Sequence, residues 1–168
     1  MTVIAVDVRG KEIVIGADSQ VTSGWHMRVD DPPKLFTGPT GVTIAVTGYA
    51  EAGALLRLYV ENNRPRESTE YSITEFVTDF RKWANSKAKD PSLDMNFFMV
   101  FDGKAFAVRD YYITEITGFA AMGAGMEYAE AALYLGQSVR KAIQAACHLS
   151  TACNEPIRIE RLPKKGTN

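Results

Sequence analysis

Two runs near the start of the chain decide the fold: TVIAVDV at residues 2–8 and IVIGAD at residues 13–18. Both are rich in β-branched residues, and Arg9-Gly10-Lys11 between them has the composition of a turn. The pair therefore predicts two strands that follow one another closely. Their apolar residues are nearly continuous rather than alternating, which predicts a sheet covered on both faces.

The rest of the chain alternates between groups of strands and pairs of helices. The clearest helix has apolar residues at helical spacing from Ile73 to Ala84, and Ser72 is its predicted N-cap. The polar segment 19–33 is predicted to be irregular. The other predicted elements are strands at 42–47, 96–101, 105–109, 111–116 and 157–162, and helices at 50–62, 127–135 and 139–151. This order predicts an α+β fold with helical layers outside two mainly antiparallel sheets.

Length and composition predict one globular domain over residues 1–168. The chain is 46% hydrophobic and 23% charged with a formal net charge of -1, which gives no electrostatic case for binding nucleic acid or a membrane surface. Neither a membrane span nor a signal peptide is recognisable. Cys147 and Cys153 fit neither a redox pair nor zinc ligation, and His26 and His148 are isolated. We therefore expect a cytoplasmic protein without metal or cofactor.

Thr2 is the first candidate for chemistry. A threonine that opens a strand is ordinary in itself, because β-branched residues favour strands. Its position changes the argument, since removal of Met1 would leave a hydroxyl nucleophile and a free α-amine on one residue. An α-amine titrates near pH 8 in model peptides, so it can accept the hydroxyl proton at working pH. An amide nitrogen is no base, so this hypothesis requires that Met1 is removed.

Asp18, Lys34 and Gly48 complete the candidate site. Taken singly, Asp18 is a solvated carboxylate that opens a turn, Lys34 an exposed loop lysine, and Gly48 a glycine that ends a strand. Beside Thr2, a lysine ammonium lowers the cost of forming an alkoxide and a carboxylate keeps that lysine in place. The N–H of Gly48 would then face the developing oxyanion.

A second glycine pattern, Gly123-Ala124-Gly125, precedes a predicted helix. A nucleotide-binding loop is a weak alternative here, because Tyr128 occupies the place of the third glycine in the phosphate-binding pattern. A close-packed loop beside the site is the favoured interpretation.

These residues together resemble a known family. The runs at residues 2–6 and 16–24, with Lys34 and the turn at Gly48, look like the proteasome β-subunit family, with the bacterial HslV-type peptidase as the nearest branch. The specific features are the Asp-x-Gln-x-Thr-x-Gly run from Asp18 and the equal spacing from Thr2 to Asp18 and from Asp18 to Lys34. The glycine loop and the ending at 154–162 are also similar, so the resemblance covers nearly the whole chain.

The resemblance implies an N-terminal nucleophile (Ntn) hydrolase fold, a four-layer αββα sandwich. It also implies a threonine peptidase that cleaves polypeptides inside a homo-oligomeric double ring and is fed by an ATP-dependent unfoldase. Carried over by position, Thr2 is nucleophile and base, Lys34 the electrostatic partner, Asp18 its orienting group and Gly48 an oxyanion donor.

Two departures from the family pattern favour alternatives with the same fold. The family has a serine in the glycine loop near the nucleophile amine, whereas Ala124 and Met126 stand here. A later family aspartate aligns with His148, and the serine three residues beyond it with Thr151. These changes leave a catalytically inactive, structural ring subunit as one alternative and an amidase of non-peptide substrates as another.

Overall fold

The computed structural model describes residues 2–23, 25–29, 32–88 and 91–165. In chain order its strands are β1 (Ile4–Asp7), β2 (Glu12–Ala17), β3 (Gln20–Ser23), β4 (His26–Val29), β5 (Leu35–Thr37), β6 (Thr43–Gly48), β7 (Met95–Phe101), β8 (Lys104–Arg109), β9 (Tyr112–Glu115), β10 (Phe119–Met122) and β11 (Arg158–Pro163). The helices are α1 (Ala50–Val60), α2 (Glu70–Lys87), α3 (Met126–Tyr134) and α4 (Val139–Leu149). None of these helices is long and apolar enough to span a bilayer.

Antiparallel pairing organises the strands into two main sheets and one hairpin. The first sheet has the order β10-β1-β2-β11, so the strand nearest the start of the chain lies inside the sheet. The second sheet follows sequence order from β5 to β9. The strands β3 and β4 pair with each other. The two runs quoted first thus form adjacent strands, as predicted, with Ile4 opposite Ala17.

Alternating side chains divide the core into three layers. On β7, Phe97, Met99 and Phe101 face a cluster shared with α1 and α2, whereas Phe98 and Val100 face the other sheet. On β1, Ile4 and Val6 face that same inter-sheet layer, while Val3, just before the strand, packs with α3 and α4. Each sheet is therefore covered on one side by helices and on the other by the second sheet, which confirms the predicted αββα sandwich.

Four strands lie where the sequence predicted none. The hairpin of β3 and β4 occupies most of the segment predicted to be irregular, and the side chains of β4 are all exposed. The strand has only four residues and no buried face, so its sequence, His-Met-Arg-Val, is too short a pattern to identify it. The strands β5 and β10 are only three and four residues long, and β10 is half alanine, a residue that is depleted in strands.

The predicted N-cap of α2 is wrong. The helix begins at Glu70, and the Thr69 side chain accepts a hydrogen bond from the backbone N–H of Ser72 at 3.2 Å. Ser72 is buried, and its Oγ accepts from the N–H groups of Arg66 and Glu67. Serine and threonine are both common N-cap residues. Here the Ser72 hydroxyl is bonded to Arg66 and Glu67, and Thr69 is the residue that caps the helix.

Replacing Phe98 by alanine should destabilise the protein strongly. Phe98 is fully buried between the two sheets, so the substitution removes a large apolar side chain and leaves a cavity. We expect a loss of about 3–5 kcal/mol in the free energy of unfolding, measured by urea denaturation. Tyr71→Ala is the control, because Tyr71 is 74% exposed on α2 and its loss should cost less than about 0.5 kcal/mol.

Candidate functional site

Asp18 lies at the end of β2 and accepts four hydrogen bonds. Its Oδ1 accepts from the backbone N–H of Val3 at 2.9 Å and from the Lys34 Nζ at 2.7 Å. Its Oδ2 accepts from the backbone N–H groups of Gln20 at 3.1 Å and Asn154 at 3.2 Å. The carboxylate thus makes the turn bond expected of an Asx residue, but it is fully buried rather than solvated.

Lys34 is buried as well, so it is not the exposed loop lysine of the simpler interpretation. Its side chain is 8% exposed, and its ammonium group forms a 2.7 Å ion pair with Asp18. Burial lowers the pKa of Lys34 below the ordinary lysine value of 10.5, while the charge and hydrogen bond of Asp18 act in the opposite direction. The three backbone N–H groups on Asp18 offset part of the cost of burying this ion pair.

Thr2 is held beside this ion pair by backbone contacts on two sides. The next residue, Val3, donates its N–H to Asp18 and accepts a bond from the Asp18 N–H at 3.1 Å. On the other side, the N–H of Gly125 donates to the Thr2 carbonyl at 3.3 Å. Thr2 itself is 5% exposed. Met1, whose removal the sequence hypothesis requires, lies outside the described residues.

Gly48 ends β6 in a backbone conformation that glycine favours, with φ at +119°. A Cβ at this position would lie 2.5 Å from the Asp94 carbonyl oxygen and 2.7 Å from the Met95 Cα, so a larger residue does not fit. The strand therefore ends here with its backbone exposed at the beginning of α1.

Thr2, Lys34 and Gly48 line one cavity of about 520 Å³, and Asp18 lies behind Lys34. The remaining lining residues come from β3, from the segment before β5, from the end of β6 and from the beginning of α1: Gln20, Val21, Thr22, Pro32, Pro33, Val46, Thr47, Tyr49, Ala50, Glu51 and Gly53. The structure thus brings together all four residues that the sequence predicted. A separate cavity of about 660 Å³, beside the β1–β2 turn and the beginning of α4, contains none of them.

The loop Gly123-Ala124-Gly125 is packed against the start of the chain. Gly123 has φ at +95°, and a Cβ there would overlap the carbonyl group of Thr2. A Cβ at Gly125 would lie 2.6 Å from the Cys153 Sγ. These contacts leave no room for a phosphate between the loop and β1, so the arrangement favours the packed loop over nucleotide binding.

The departures from the family pattern lie at exposed positions. Ala124, Met126 and His148 are all exposed, the first two around the beginning of α3 and the third in the last turn of α4. Thr151 is exposed as well, and its carbonyl accepts a bond from the Gln20 side chain at 3.4 Å. None of these four residues lines the cavity that contains Thr2.

The two cysteines lie near the site as free thiols. Burial raises the pKa of Cys147 to about 12 and that of Cys153 to about 11, so both stay protonated near neutral pH. A protonated, buried thiol is a poor nucleophile, which leaves the Thr2 hydroxyl as the better candidate. Among the described residues, no group of three or more His, Cys, Asp or Glu side chains is placed to hold a metal ion.

Two contributions to the site were not predicted. The segment before β11 holds Asp18 in place: the Asn154 N–H bonds the carboxylate, the Asn154 carbonyl accepts from the Ser19 N–H, and the Ser19 Oγ donates to the Pro156 carbonyl at 2.5 Å. Backbone groups supply most of these bonds, so side-chain identity gives no signal for them. The second is Thr47, a strand residue that lines the cavity directly before Gly48.

Comparison with solved structures identifies the architecture. BPH from Thiobacillus denitrificans, solved in complex with epoxomicin, matches with a TM-score of 0.83 and 18% identity over 96% of this chain and 98% of BPH. The chain has an Ntn-hydrolase fold. HslV from Trypanosoma brucei matches with a TM-score of 0.67 and 20% identity, over 96% of this chain and 99% of HslV. The fold that the sequence resemblance predicted is thereby confirmed.

A third solved structure has lower sequence identity to this chain and is longer than it. Anbu (ancestral beta-subunit) from Yersinia bercovieri gives a TM-score of 0.72 at 11% identity, over 96% of this chain and 81% of Anbu. The Anbu complex from Pseudomonas aeruginosa was solved as a helical assembly. No protein-family model and no curated protein matches the chain. At these identities the likeness is one of fold.

Gly123→Ala should displace the Thr2 backbone and destabilise the protein. The substitution adds a methyl group against the Thr2 carbonyl and forces alanine into a left-handed conformation. We expect a loss of about 2 kcal/mol or more in the free energy of unfolding, measured by urea denaturation. Gly118→Ala is the matched control, since nothing lies within 4 Å of the added methyl. Equal stability of the two variants would contradict the packing described for this loop.

Proposed function

We propose that the protein belongs to the proteasome β-subunit family and is a threonine-type endopeptidase subunit of a self-compartmentalising ring in the cytoplasm. Its substrates are polypeptides, and its nucleophile is Thr2 after removal of Met1. The observation that carries this proposal is the buried Asp18–Lys34 ion pair at the wall of the cavity that Thr2 lines. A lysine is seldom buried unless it is paired, so a charge placed here needs a reason beyond packing.

In this mechanism the α-amine of Thr2 acts as the base for the hydroxyl of the same residue. The amine takes the Oγ proton while Oγ attacks the substrate carbonyl carbon, which gives a tetrahedral intermediate with a negative oxygen. The Lys34 ammonium lies at the same cavity and stabilises negative charge that develops on Oγ. Three backbone N–H bonds fix the Asp18 carboxylate, and the carboxylate in turn fixes Lys34.

Two steps follow: the tetrahedral intermediate collapses to an ester, and water then hydrolyses that ester. The backbone N–H of Gly48 stabilises the oxyanion, and the Thr2 ammonium returns its proton to the departing amine as the C–N bond breaks. An ester between the peptide carbonyl and Oγ remains. Water, deprotonated by the Thr2 amine, attacks this ester and releases the carboxylic acid and the free hydroxyl.

Assembly into a homo-oligomeric ring is part of the proposal. Several large apolar side chains are exposed at the end of α3, where Tyr134 is 78% and Leu135 74% accessible. Exposed apolar surface of this kind favours association with another protein surface. A double ring and an ATP-dependent unfoldase that delivers substrate complete the proposal, by analogy with the family that the sequence resembles.

The decisive experiment is a mass measurement of the protein before and after reaction with epoxomicin, the compound bound to the similar BPH. We expect the purified protein to lack Met1 and to gain the mass of the compound at Thr2, located by peptide mapping. Thr2→Ala should form no adduct and should lose peptidase activity by at least about a hundredfold, since the hydroxyl nucleophile is removed.

Three other outcomes separate the alternatives. A protein that lacks Met1 and forms no adduct refutes the threonine peptidase mechanism. A large ring by light scattering, with the turnover of Thr2→Ala equal to that of the wild type, identifies a structural ring subunit. Hydrolysis of small amides without hydrolysis of peptides or unfolded proteins identifies the amidase.

The pH profile of peptidase activity tests the roles of the amine and the lysine. Activity should rise with pH as the Thr2 amine loses its proton, near pH 8 for an ordinary α-amine. It should fall again below pH 10.5, because burial lowers the pKa of Lys34 and the ammonium therefore loses its proton at a lower pH than an ordinary lysine does. Measurement of kcat/KM from pH 6 to 11 checks both limbs, and a plateau that continues beyond pH 10.5 would exclude Lys34 as the required cation.

A further inference from the structure

Thr47 lies on the face of β6 that points toward the first sheet. Along β6, Ile44 and Val46 pack in the cluster with α1 and α2, whereas Ala45 packs between the sheets. Alternation along the strand places the next residue, Thr47, on the same face as Ala45. Thr47 is half-buried and lines the cavity that contains Thr2.

The Thr47 hydroxyl is close to the backbone of Thr2. The position that a Cβ would occupy at Gly123 is 2.9 Å from the Thr2 carbonyl carbon and 3.1 Å from the Thr47 Oγ1. The two residues are therefore neighbours at the Gly123 backbone, although Thr47 is in β6 of the second sheet and Thr2 lies two residues before β1 of the first. The absence of a side chain at Gly123 leaves the Thr47 hydroxyl and the Thr2 carbonyl group beside the same small space.

An α-amine that acts as a base must present its lone pair to the hydroxyl, so its N–H bonds need acceptors that fix its rotation. The Asp18 carboxylate, which is bonded to the residue after Thr2, is committed to other donors. Both oxygens of Asp18 already accept two hydrogen bonds each, and Lys34 offers donors only. The Thr22 hydroxyl accepts a bond from the Gln20 side chain at 3.3 Å. The adjoining loop contributes Ala124 and Met126, neither of which carries a hydroxyl.

We propose that the Thr47 hydroxyl accepts a hydrogen bond from the Thr2 α-amine and orients it toward the Thr2 Oγ. Thr47 is thus a positioning residue that acts through the amine, and this inference rests on the proposed function of Thr2. The amine is then oriented by a hydroxyl from β6 of the second sheet, in place of a hydroxyl from the glycine loop at 123–125. The inference also explains why a polar side chain ends the otherwise apolar stretch of β6.

The test compares Thr47→Val and Thr47→Ser with the wild type, using full-length chains from which Met1 has been removed. Valine keeps the shape of threonine without the hydroxyl, and serine keeps the hydroxyl without the methyl. We expect Thr47→Val to lower kcat about tenfold with little change in KM, and Thr47→Ser to restore most of the loss. Urea denaturation of all three proteins checks that their stabilities are similar.

A second measurement is independent of catalysis: the pKa of the Thr2 α-amine, obtained by NMR titration of protein labelled at threonine. A hydroxyl acceptor favours the protonated amine, so Thr47→Val should lower this pKa, and the acid limb of the pH profile should move to lower pH with it. Thr47→Ser should match the wild type. An amine pKa that is the same in Thr47→Val and in the wild type overturns the inference, even if kcat falls.

The two measurements separate this inference from the proposed function. A wild-type protein that hydrolyses nothing, with an amine pKa that still falls in Thr47→Val, refutes the peptidase and supports the contact with Thr47. A wild-type protein that hydrolyses peptides, with neither kcat nor the amine pKa altered in Thr47→Val, supports the peptidase and refutes the contact.

Discussion

The site depends on one buried carboxylate. Asp18 accepts backbone N–H groups from the start of β1, from β3 and from the segment before β11, and its fourth bond is to the Lys34 ammonium. Parts of the chain as far apart as Val3 and Asn154 therefore converge on two oxygen atoms. Because the group is fully buried, each unmade bond would leave a polar group without water to replace it. The same contacts that stabilise this corner of the fold thus fix the cation at the cavity.

The sequence predicts features that a single segment shows by itself, and it does not predict contacts between distant segments such as those at Asp18. The layers follow from apolar patterns that persist along β1, β2, β6, β7 and α2, and those patterns are legible without coordinates. Thr2, Asp18, Lys34 and Gly48 were predicted as a candidate site because a hydroxyl, an acid and a lysine have distinct chemistry and because their spacing resembles a known family, and the structure brings the four residues together. Asn154 was not found as a ligand of Asp18, since it acts through its backbone and any residue except proline has that N–H.

The missed strands have a related cause. An exposed hairpin and two very short strands derive their conformation from pairing with neighbours, and pairing leaves little trace in a single segment. The same holds for Thr47. On its own it is a β-branched residue in a strand, and only its position across Gly123 from Thr2 gives its hydroxyl a chemical meaning. Tertiary neighbours, rather than local propensity, set the roles of these residues.

The central place of β1 in its sheet has a consequence for synthesis on the ribosome. One neighbour, β2, follows within a few residues, but the other, β10, is made of residues 119–122, and the Asn154 bond to Asp18 comes later still. At roughly 5–20 residues per second, the nascent chain keeps one edge of its first strand unpaired for several seconds. During that interval this edge of β1 is accessible to chaperones, and pairing with β10 then covers it.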